Sequence, residues 1–295
     1  MGYRMESLAC LILNYNDAET TSKLINQLQS YKTVNHILIV DNCSTDDSYQ
    51  VLSKFQTSKI HVLRTDRNGG YGYGNNRGFD YISREWNDEL ILLMNPDTLV
   101  TESCIRKMMR VLQDEKYVLV APVQRLRKAD GKIVFPWRLP SLKEEIITSS
   151  VILSKFARCD LRYPLSDLQG RELLPVDVLQ GALFMGKADF LSGAGKYDED
   201  IFLYNEEECQ AQKVKMINKQ SVLLCDDYYI HDHSVSINKS IKSTVKQKKL
   251  QLESKKYYIN KYFTTNTFQR FLLWLVFEIG IAESWLIPKM RKHSV

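Results

Sequence analysis

The chain has 295 residues, 44% of them hydrophobic and 25% charged, with a net charge of +5 at neutral pH. This composition supplies a normal hydrophobic core and excludes a disordered chain. The six cysteines show neither CxxC nor Cys/His spacing, so we expect no zinc site, no disulfide framework and a reducing, cytoplasmic compartment. The first apolar stretch, residues 8–13, is too short for a signal peptide or a membrane span, and we expect no export.

Four short apolar runs in the first hundred residues have the character of strands that are covered on both faces. They are "LACLIL" (8–13), "HILIVD" (36–41), "IHVL" (60–63) and "LILLMN" (90–95). Helical patterns separate them, beginning with "ETTSKLINQLQSY". The alternation predicts an α/β fold with an open, mostly parallel sheet flanked by helices, whose ligand crevice lies beyond the carboxyl ends of the strands.

Further along the chain, residues 101–114 form a predicted helix, and "YVLVAP" is a predicted strand that ends at Pro122. Residues 176–190 predict a strand followed by the start of a helix, and "NEEEC" (205–209) marks the start of another helix with acidic residues in its first turn. A last strand, "SVLLCDDYYIHDH", ends in histidines.

Polar residues follow each of the four early strands: "NYND", "DNCSTDD", "DRNGGYGYGNNRG" and "NPDT". In a parallel sheet these loops share one edge, and we expect them to converge on one binding crevice. The alternative for any single loop is that Asn, Asp and Gly are simply turn formers.

The glycine-rich third loop is neither a P-loop, because no GK[ST] follows, nor a dinucleotide fingerprint, because it does not follow the first strand. Its glycines allow a ligand to approach the backbone closely, and Arg67 and Arg77 are suited to meet phosphate. Loop flexibility alone would also explain the glycines.

In their order, "LILNYN", "VDNCSTDDS", "RNGGYGYGNNRG" and "LLMNPDT" resemble the donor-binding half of family 2 inverting glycosyltransferases of the GT-A fold, especially the rhamnosyltransferase-like branch. The resemblance continues in "VDVLQGALFMGKADF", "GKYDEDIFLYNEEECQAQK" and "IHDHSVS" and covers roughly residues 7–240. It implies transfer of a sugar from a nucleotide diphosphate donor (dTDP- or UDP-linked) to a saccharide or lipid-linked acceptor in cell-surface polysaccharide synthesis.

The resemblance also assigns residues to the donor site and the acceptor site. The donor-binding residues would be Asn14, Tyr15, Asn16, Asp41, Asn42, Arg67, Asn68, Gly69, Asn75, Asn76, Asn95 and Asp97. Those nearest the acceptor or the transferred sugar would be Asp177, Gly181 and Ala182.

Asp97 and His231 would hold a divalent cation, Mg²⁺ or Mn²⁺, that neutralises the leaving diphosphate. His233 is the alternative to His231. The family's usual Asp-x-Asp begins here with Asn95, whose neutral oxygen would instead contact the sugar or ribose.

Glu207 would be the general base, and Glu206 would orient either the base or the acceptor. Glu207 stands where the family has Asp, and Cys209 where it often has another Asp. For Glu208 we favour ordinary complementation of the helix dipole.

The organisation that we expect is a domain over residues 1–238, with a donor half to about residue 125 and an acceptor half over 126–238, followed by a basic, amphipathic helical region over 239–295. That last region suits either the surface of an anionic bilayer, at the inner face of the plasma membrane, or a helical subdomain packed on the core. We do not expect nucleic-acid binding, because the basic run lacks a recognition signature. Two other hypotheses stay open: a sugar nucleotidyltransferase, and an inactive nucleotide-sugar binding module.

Overall fold

The first half of the chain alternates strands and helices in a computed structural model that describes residues 6–127, 131–232 and 243–292. Its strands are β1 (Leu8–Asn14), β2 (His36–Asp41), β3 (Ile60–Arg64), β4 (Leu90–Met94), β5 (Thr98–Leu99) and β6 (Tyr117–Leu126). Its α-helices are α1 (Ala18–Leu28), α2 (Ser48–Leu52), α3 (Tyr71–Tyr81) and α4 (Glu102–Val111), with a short 3₁₀ helix over Ser53–Phe55 and a π-helical turn over Ile82–Trp86.

The second half begins with β7 (Ile133–Val134), α5 (Leu142–Thr148), α6 (Val151–Phe156), α7 (Leu165–Leu168) and β8 (Leu173–Val176). It continues with β9 (Leu183–Lys187), α8 (Ala188–Ser192), α9 (Glu206–Met216) and β10 (Gln220–His231). The long helices α10 (Thr244–Tyr262) and α11 (Thr267–Lys292) follow.

One sheet joins the strands in the order β3-β2-β1-β4-β9-β6-β10-β5, with β7 beside β6 and β8 beside β10. The pairings among β3, β2, β1 and β4 are all parallel, as is that of β6 with β10, whereas β9 is antiparallel to both of its neighbours. The expected fold class, an open α/β sheet flanked by helices with a C-terminal helical segment, is confirmed.

Burial explains why the parallel strands lie at the centre. All five residues of β4 are buried, and in β1 only Leu13 is partly exposed. Side chains pointing to both faces therefore need apolar cover, which the flanking helices provide. Their two cores lie on opposite sides of the sheet, one including Leu24 and Met108 and the other including Phe79 and Leu191.

The register of the parallel strands brings their carboxyl ends together. Asn14 lies beside Asp41, Asp41 beside Arg64, and Met94 beside Ile12. Because β9 runs antiparallel to β4 and Leu183 pairs with Met94, the residues just before β9 lie at this same edge.

The prediction that the strand "YVLVAP" ends at Pro122 is wrong, because the corresponding strand β6 continues to Leu126. Pro122 pairs with Leu224, where the register between β6 and β10 shifts. A proline is tolerated at such an irregularity because its missing N–H removes no regular ladder bond.

The C-terminal helices pack on the second half of the domain. The Tyr258 side chain of α10 is fully buried, and its hydroxyl accepts a hydrogen bond from Gln212 in α9 (2.9 Å). Lys255 forms a buried ion pair with Glu145 of α5 (2.8 Å). Among the described residues, no helix combines the length and apolar character that crossing a membrane requires.

Candidate active site

The loop after β2 is organised around Asp41, whose side chain is fully buried. Asn14 Nδ2 donates to Asp41 Oδ2 (3.0 Å), and the backbone N–H of Ser44 donates to Asp41 Oδ1 (3.0 Å). Arg64 Nε lies 3.7 Å from Oδ1. Both carboxylate oxygens thus contact groups of the protein, so Asp41 ties the loop to β1 and β3.

Asn16 connects the first two strand-end loops from the other side. It has a φ of 52°, and its side-chain oxygen accepts the backbone N–H of Thr45 (2.8 Å). The adjacent Tyr15 is half-buried and lies at the same strand end. These two residues are more open to a ligand than Asp41.

Asn42 links the second loop to the glycine-rich third loop. Its amide nitrogen donates to the side-chain oxygen of Asn68 (3.1 Å) and to the carbonyl of Gly70 (3.0 Å). Asn68 also accepts the backbone N–H of Gly70 (3.1 Å). Asn42 and Asn68 therefore shape the loop that leads into α3.

Three side chains stack beside this loop. The guanidinium of Arg67 lies 4.6 Å from the centre of the Tyr73 ring, and that of Arg77 lies 4.2 Å from it. Arg77 pairs with Glu199 (3.2 Å) and Arg67 with Asp66 (3.6 Å), but the Arg67 side chain is 66% exposed and that of Arg77 38%. Gly69 allows this packing, since a Cβ there would lie within 2.8 Å of several Tyr73 atoms. Arg67 is therefore the more available of the two arginines for an anionic ligand.

The paired asparagines of α3 differ in their surroundings. Asn76 Nδ2 donates to the Tyr197 carbonyl (3.0 Å) and its oxygen accepts the Tyr197 N–H (2.9 Å), so this side chain holds the loop before α9. Asn75 is fully buried, and its amide atoms make no hydrogen bond of ordinary geometry within the described residues.

Tyr71 joins the fourth strand-end loop to the segment before β9. Its hydroxyl donates to the Gly181 carbonyl (2.8 Å) and lies 3.3 Å from Asn95 Oδ1. The Asn95 N–H in turn donates to the carbonyl of Ala182 (2.8 Å). Burial, together with the charge of Glu207, raises the pKa of Tyr71 well above its ordinary value, so the hydroxyl keeps its proton.

The three consecutive glutamates begin α9 at this edge. The carboxylate of Glu207 lies against Gly181 and accepts its backbone N–H. Burial raises the pKa of Glu207, and for Glu206 burial and the charge of Glu207 raise the pKa well above the ordinary range. The closely spaced pair therefore favours one protonated and one ionised carboxyl group.

Glu208 points elsewhere. Its Oε1 accepts the indole N–H of Trp137 (3.1 Å), and burial, together with the charges of Glu207 and Glu145, raises its pKa to about 7. It therefore belongs to the packing between α9 and the segment after β7.

Asp97 and His231 meet where β10 pairs with β5. His231 Nε2 lies 3.2 Å from Asp97 Oδ1, and both side chains are nearly buried. On the other side of the ring, Gln124 Nε2 lies 3.0 Å from His231 Nδ1, and Gln124 Oε1 accepts the Tyr229 hydroxyl (2.7 Å). Carboxylate oxygen and imidazole nitrogen are ligand types that Mn²⁺ accepts.

The described residues contain no cluster of three or more His, Cys, Asp or Glu side chains that would hold a metal by themselves. His233, the alternative ligand, lies outside the described residues. Asp177 is exposed, and its carboxylate accepts the Leu139 N–H (2.8 Å), which fixes the segment after β7.

Sequence reasoning did not select three residues that connect the site: Tyr71, Gln124 and Tyr229. Gln124 could have been selected from the sequence, because a single side-chain amide in an otherwise apolar, buried strand needs a hydrogen-bond partner. Tyr71 lies within the glycine-rich motif, where only its glycines, arginines and asparagines were considered. Tyr229 is a fully buried tyrosine of β10, and no local pattern distinguished it.

Comparison with known proteins agrees with this architecture. The sequence model described as "Glycosyl transferase family 2" matches residues 10–158. The chain is 28% identical over 205 residues to the low-salt glycan biosynthesis hexosyltransferase Agl10 of Haloferax volcanii, covering 69% of this chain and 60% of that protein. The chain thus spans less than two thirds of this curated relative.

Many solved structures share the fold, among them the two that follow. The mannosyltransferase PcManGT of Pyrobaculum calidifontis, in complex with GDP-Man and Mn²⁺, has a TM-score of 0.59 at 12% identity and covers 95% of this chain and 74% of its own. Staphylococcus aureus TarS 1–349, in complex with UDP-GlcNAc, has a TM-score of 0.55 at 13% identity and covers 90% and 70%.

Proposed function

The chain belongs to glycosyl transferase family 2, and we propose that it transfers a hexosyl or deoxyhexosyl unit, such as rhamnosyl, from a nucleoside diphosphate to an acceptor hydroxyl with inversion. The observation that carries the proposal is the position of Glu207 beside Gly181, at the same sheet edge as the Asp97–His231 pair. A base and a pair of cation ligands at one edge match what this reaction needs.

The donor is a uridine or thymidine diphosphate sugar in this proposal. The loops after β1, β2 and β3 form the nucleoside side, with Tyr15 and Asn16 the most accessible of the predicted contacts. Arg67 supplies positive charge beside the diphosphate, and Asn75 has hydrogen-bonding capacity left for the ligand. The UDP-GlcNAc of the TarS complex is a donor of this chemical type.

The residues present fit a divalent cation. Asp97 offers an acidic oxygen and His231 a ring nitrogen within 3.2 Å of it, and donor phosphate oxygens would complete the coordination. When bound, Mn²⁺ or Mg²⁺ would offset the negative charge of the leaving diphosphate. The Mn²⁺ of the mannosyltransferase complex supports this choice of cofactor.

The transfer is a single displacement. As the acceptor oxygen bonds to the anomeric carbon, Glu207 takes the hydroxyl proton and the bond from that carbon to the diphosphate oxygen breaks on the opposite face. Burial and the charge of Glu207 raise the pKa of Glu206 and favour its neutral form, so in this proposal the pair shares one negative charge, on Glu207. The N–H of Gly181 orients the base.

The acceptor is a saccharide or a lipid-linked saccharide, bound by the half of the domain that begins near residue 126. A cytoplasmic enzyme of cell-surface polysaccharide synthesis, in contact with the inner face of the membrane, is the setting that we propose. The hexosyltransferase relative from glycan biosynthesis supports the substrate class.

A panel of nucleotide sugars incubated with the purified protein and Mn²⁺ or Mg²⁺ tests the proposal. We expect transfer, or slow donor hydrolysis, that stops when the cation is chelated. Turnover that requires pyrophosphate would indicate a nucleotidyltransferase, and binding without turnover would indicate an inactive module. Asp97→Ala should abolish the metal-dependent turnover without unfolding the protein. Asp160→Asn, an exposed acid paired with Arg162, is the matched control.

A further inference from the structure

Helix α11 presents a broad apolar face away from the domain. The exposed apolar side chains Phe268, Phe271, Trp274, Leu275, Ile279, Trp285 and Leu286 recur at helical spacing, with Glu278 as the one exposed acid among the described side chains of this helix. Leu273, Val276 and Glu283, on the opposite side, are buried. A helix that packs one apolar side and leaves a second one exposed offers an apolar surface to another molecule.

Helix α6 extends this surface. The buried Glu283 carboxylate accepts the Ser150 hydroxyl (2.6 Å) and the backbone N–H groups of Val151 (2.7 Å) and Ile152 (3.1 Å). These bonds hold the start of α6 against α11. Val151, Ile152 and Phe156 are 45%, 59% and 89% exposed. We call the exposed apolar residues of the two helices the α6–α11 face.

Positive charge surrounds this face. The exposed charged side chains on the two helices are Lys155, Arg270 and Glu278 within the described residues, and the exposed Arg158 lies two residues after the end of α6. A cavity of about 880 Å³ lies between α10 and α11. Its lining includes Trp274, the cations Lys249 and Lys256, and the acid Glu253. Aromatic side chains bordered by cations are typical of proteins that lie on anionic bilayers.

A second copy of the chain fits this face less well. In a two-fold dimer the same surface meets itself, so a face with an excess of cations, Lys155, Arg158 and Arg270 against Glu278, would meet a second face of the same charge. Anionic lipids would instead neutralise these cations while the aromatic side chains enter the headgroup region.

The face is connected to the helix that carries the proposed base. Ser254 of α10 donates to the Leu203 carbonyl just before α9 (2.7 Å), and Gln212 of α9 contacts Tyr258. Helix α10 therefore lies between α11 and the catalytic helix. A protein that rests on a bilayer through the α6–α11 face would hold α9 in a defined orientation to that surface.

We propose that the α6–α11 face docks the protein onto the surface of a bilayer containing anionic lipids. This inference rests on the proposed function in one respect: the docked protein would meet its lipid-linked acceptor at the surface of the bilayer. The docking itself needs neither donor nor cation.

Flotation of the purified full chain with lipid vesicles tests the proposal. We expect binding to vesicles of phosphatidylcholine mixed with phosphatidylglycerol, weaker binding to pure phosphatidylcholine, and release by added salt. Phe271→Ser combined with Trp274→Ser should weaken vesicle binding by about tenfold or more, because two aromatic anchors are lost. The control is Met216→Ser combined with Leu165→Ser, which removes exposed apolar side chains elsewhere and should bind as the native chain does.

A second measurement identifies the surface that touches lipid. Brominated phosphatidylcholine in the vesicles should quench tryptophan fluorescence, and Trp274→Phe combined with Trp285→Phe should remove that quenching. Failure of the native chain to bind anionic vesicles at low salt overturns the proposal. The proposal is also overturned if light scattering shows that the native chain is a dimer and that the Phe271→Ser/Trp274→Ser variant is a monomer. Donor turnover should be unchanged in that variant, so loss of docking and loss of activity are distinguished.

Discussion

His231 lies between two side chains, with its Nε2 3.2 Å from Asp97 Oδ1 and its Nδ1 3.0 Å from the amide nitrogen of Gln124. In this arrangement Nδ1 accepts a hydrogen bond and Nε2 carries the proton that faces Asp97. A metal ion would need a free lone pair on Nε2. Rotation of the Gln124 amide provides it, because the amide oxygen then accepts Nδ1–H and the nitrogen faces the Tyr229 hydroxyl.

Gln124→Leu should therefore weaken cation binding by about 10–100-fold, the range typical of a lost partner to a metal-binding histidine. Electron paramagnetic resonance of Mn²⁺, titrated in the presence of a nucleoside diphosphate, measures this directly. Gln124→Glu, which also accepts Nδ1–H, should retain more affinity than the leucine variant. Equal affinities for the native protein and Gln124→Leu would show that Gln124 does not orient the histidine.

The two glutamates that begin α9 should differ sharply on substitution. Burial and the charge of Glu207 raise the pKa of Glu206 and favour its neutral form, so Glu206→Gln should retain most of the activity. Glu207→Gln removes the proposed base and should reduce transfer by about 10²–10⁴-fold while leaving donor binding intact. Comparison of kcat with donor affinity separates the two effects, and the reverse pattern would make Glu206 the base.

The pH profile gives an independent check on the same pair. Burial raises the pKa of Glu207 above the ordinary 4.5, and the base must be ionised to accept a proton. Transfer should therefore rise with pH through a limb that lies above pH 4.5, and Glu206→Gln should keep this limb. A profile that is flat from pH 4.5 to neutrality would argue against a buried carboxylate base.

Gly181→Ala should disturb the base through sterics alone. A Cβ at this position would lie 2.8 Å from Glu207 Oε1, so the carboxylate must move. A displacement of this size is expected to lower kcat by about 10²-fold, with donor affinity nearly unchanged. Glu207→Asp in the Gly181→Ala background shortens the side chain and should recover part of kcat. Absence of any recovery in the double variant would mean that the loss has another origin.

The convergence of the strand-end loops was predictable because burial on both faces identifies the parallel strands, and their carboxyl ends must share an edge. The hydrogen bonds that Asp41 accepts from groups of the protein itself were not predictable. Whether a strand-end carboxylate faces a ligand or its own loop depends on partners such as Asn14, 27 residues away.

The contacts that complete the site are of longer range. Tyr71 meets Gly181 across 110 residues, and Gln124 meets His231 across 107. Neither contact leaves a periodic or local pattern in the sequence, because each depends on how β9 and β10 are placed in the sheet. Only the folded chain shows that these side chains support the predicted ligands and the predicted base.

Glu208 should affect stability rather than catalysis, although it follows the proposed base directly. Its pKa is raised to about 7 from 4.5, so between these values the folded protein binds a proton that the unfolded chain has lost, and stability falls as the pH rises. Glu208→Gln keeps an oxygen for the Trp137 indole and removes this cost. We expect the free energy of unfolding of this variant to equal that of the native protein near pH 4.5. At pH 8 it should be larger by about 1–2 kcal/mol, after allowance for partial exposure.

Urea unfolding at the two pH values measures the difference, and Glu253→Gln, which changes an exposed acid of α10, is the control. A pH-independent difference between Glu208→Gln and the native chain would show that folding does not raise the pKa of Glu208.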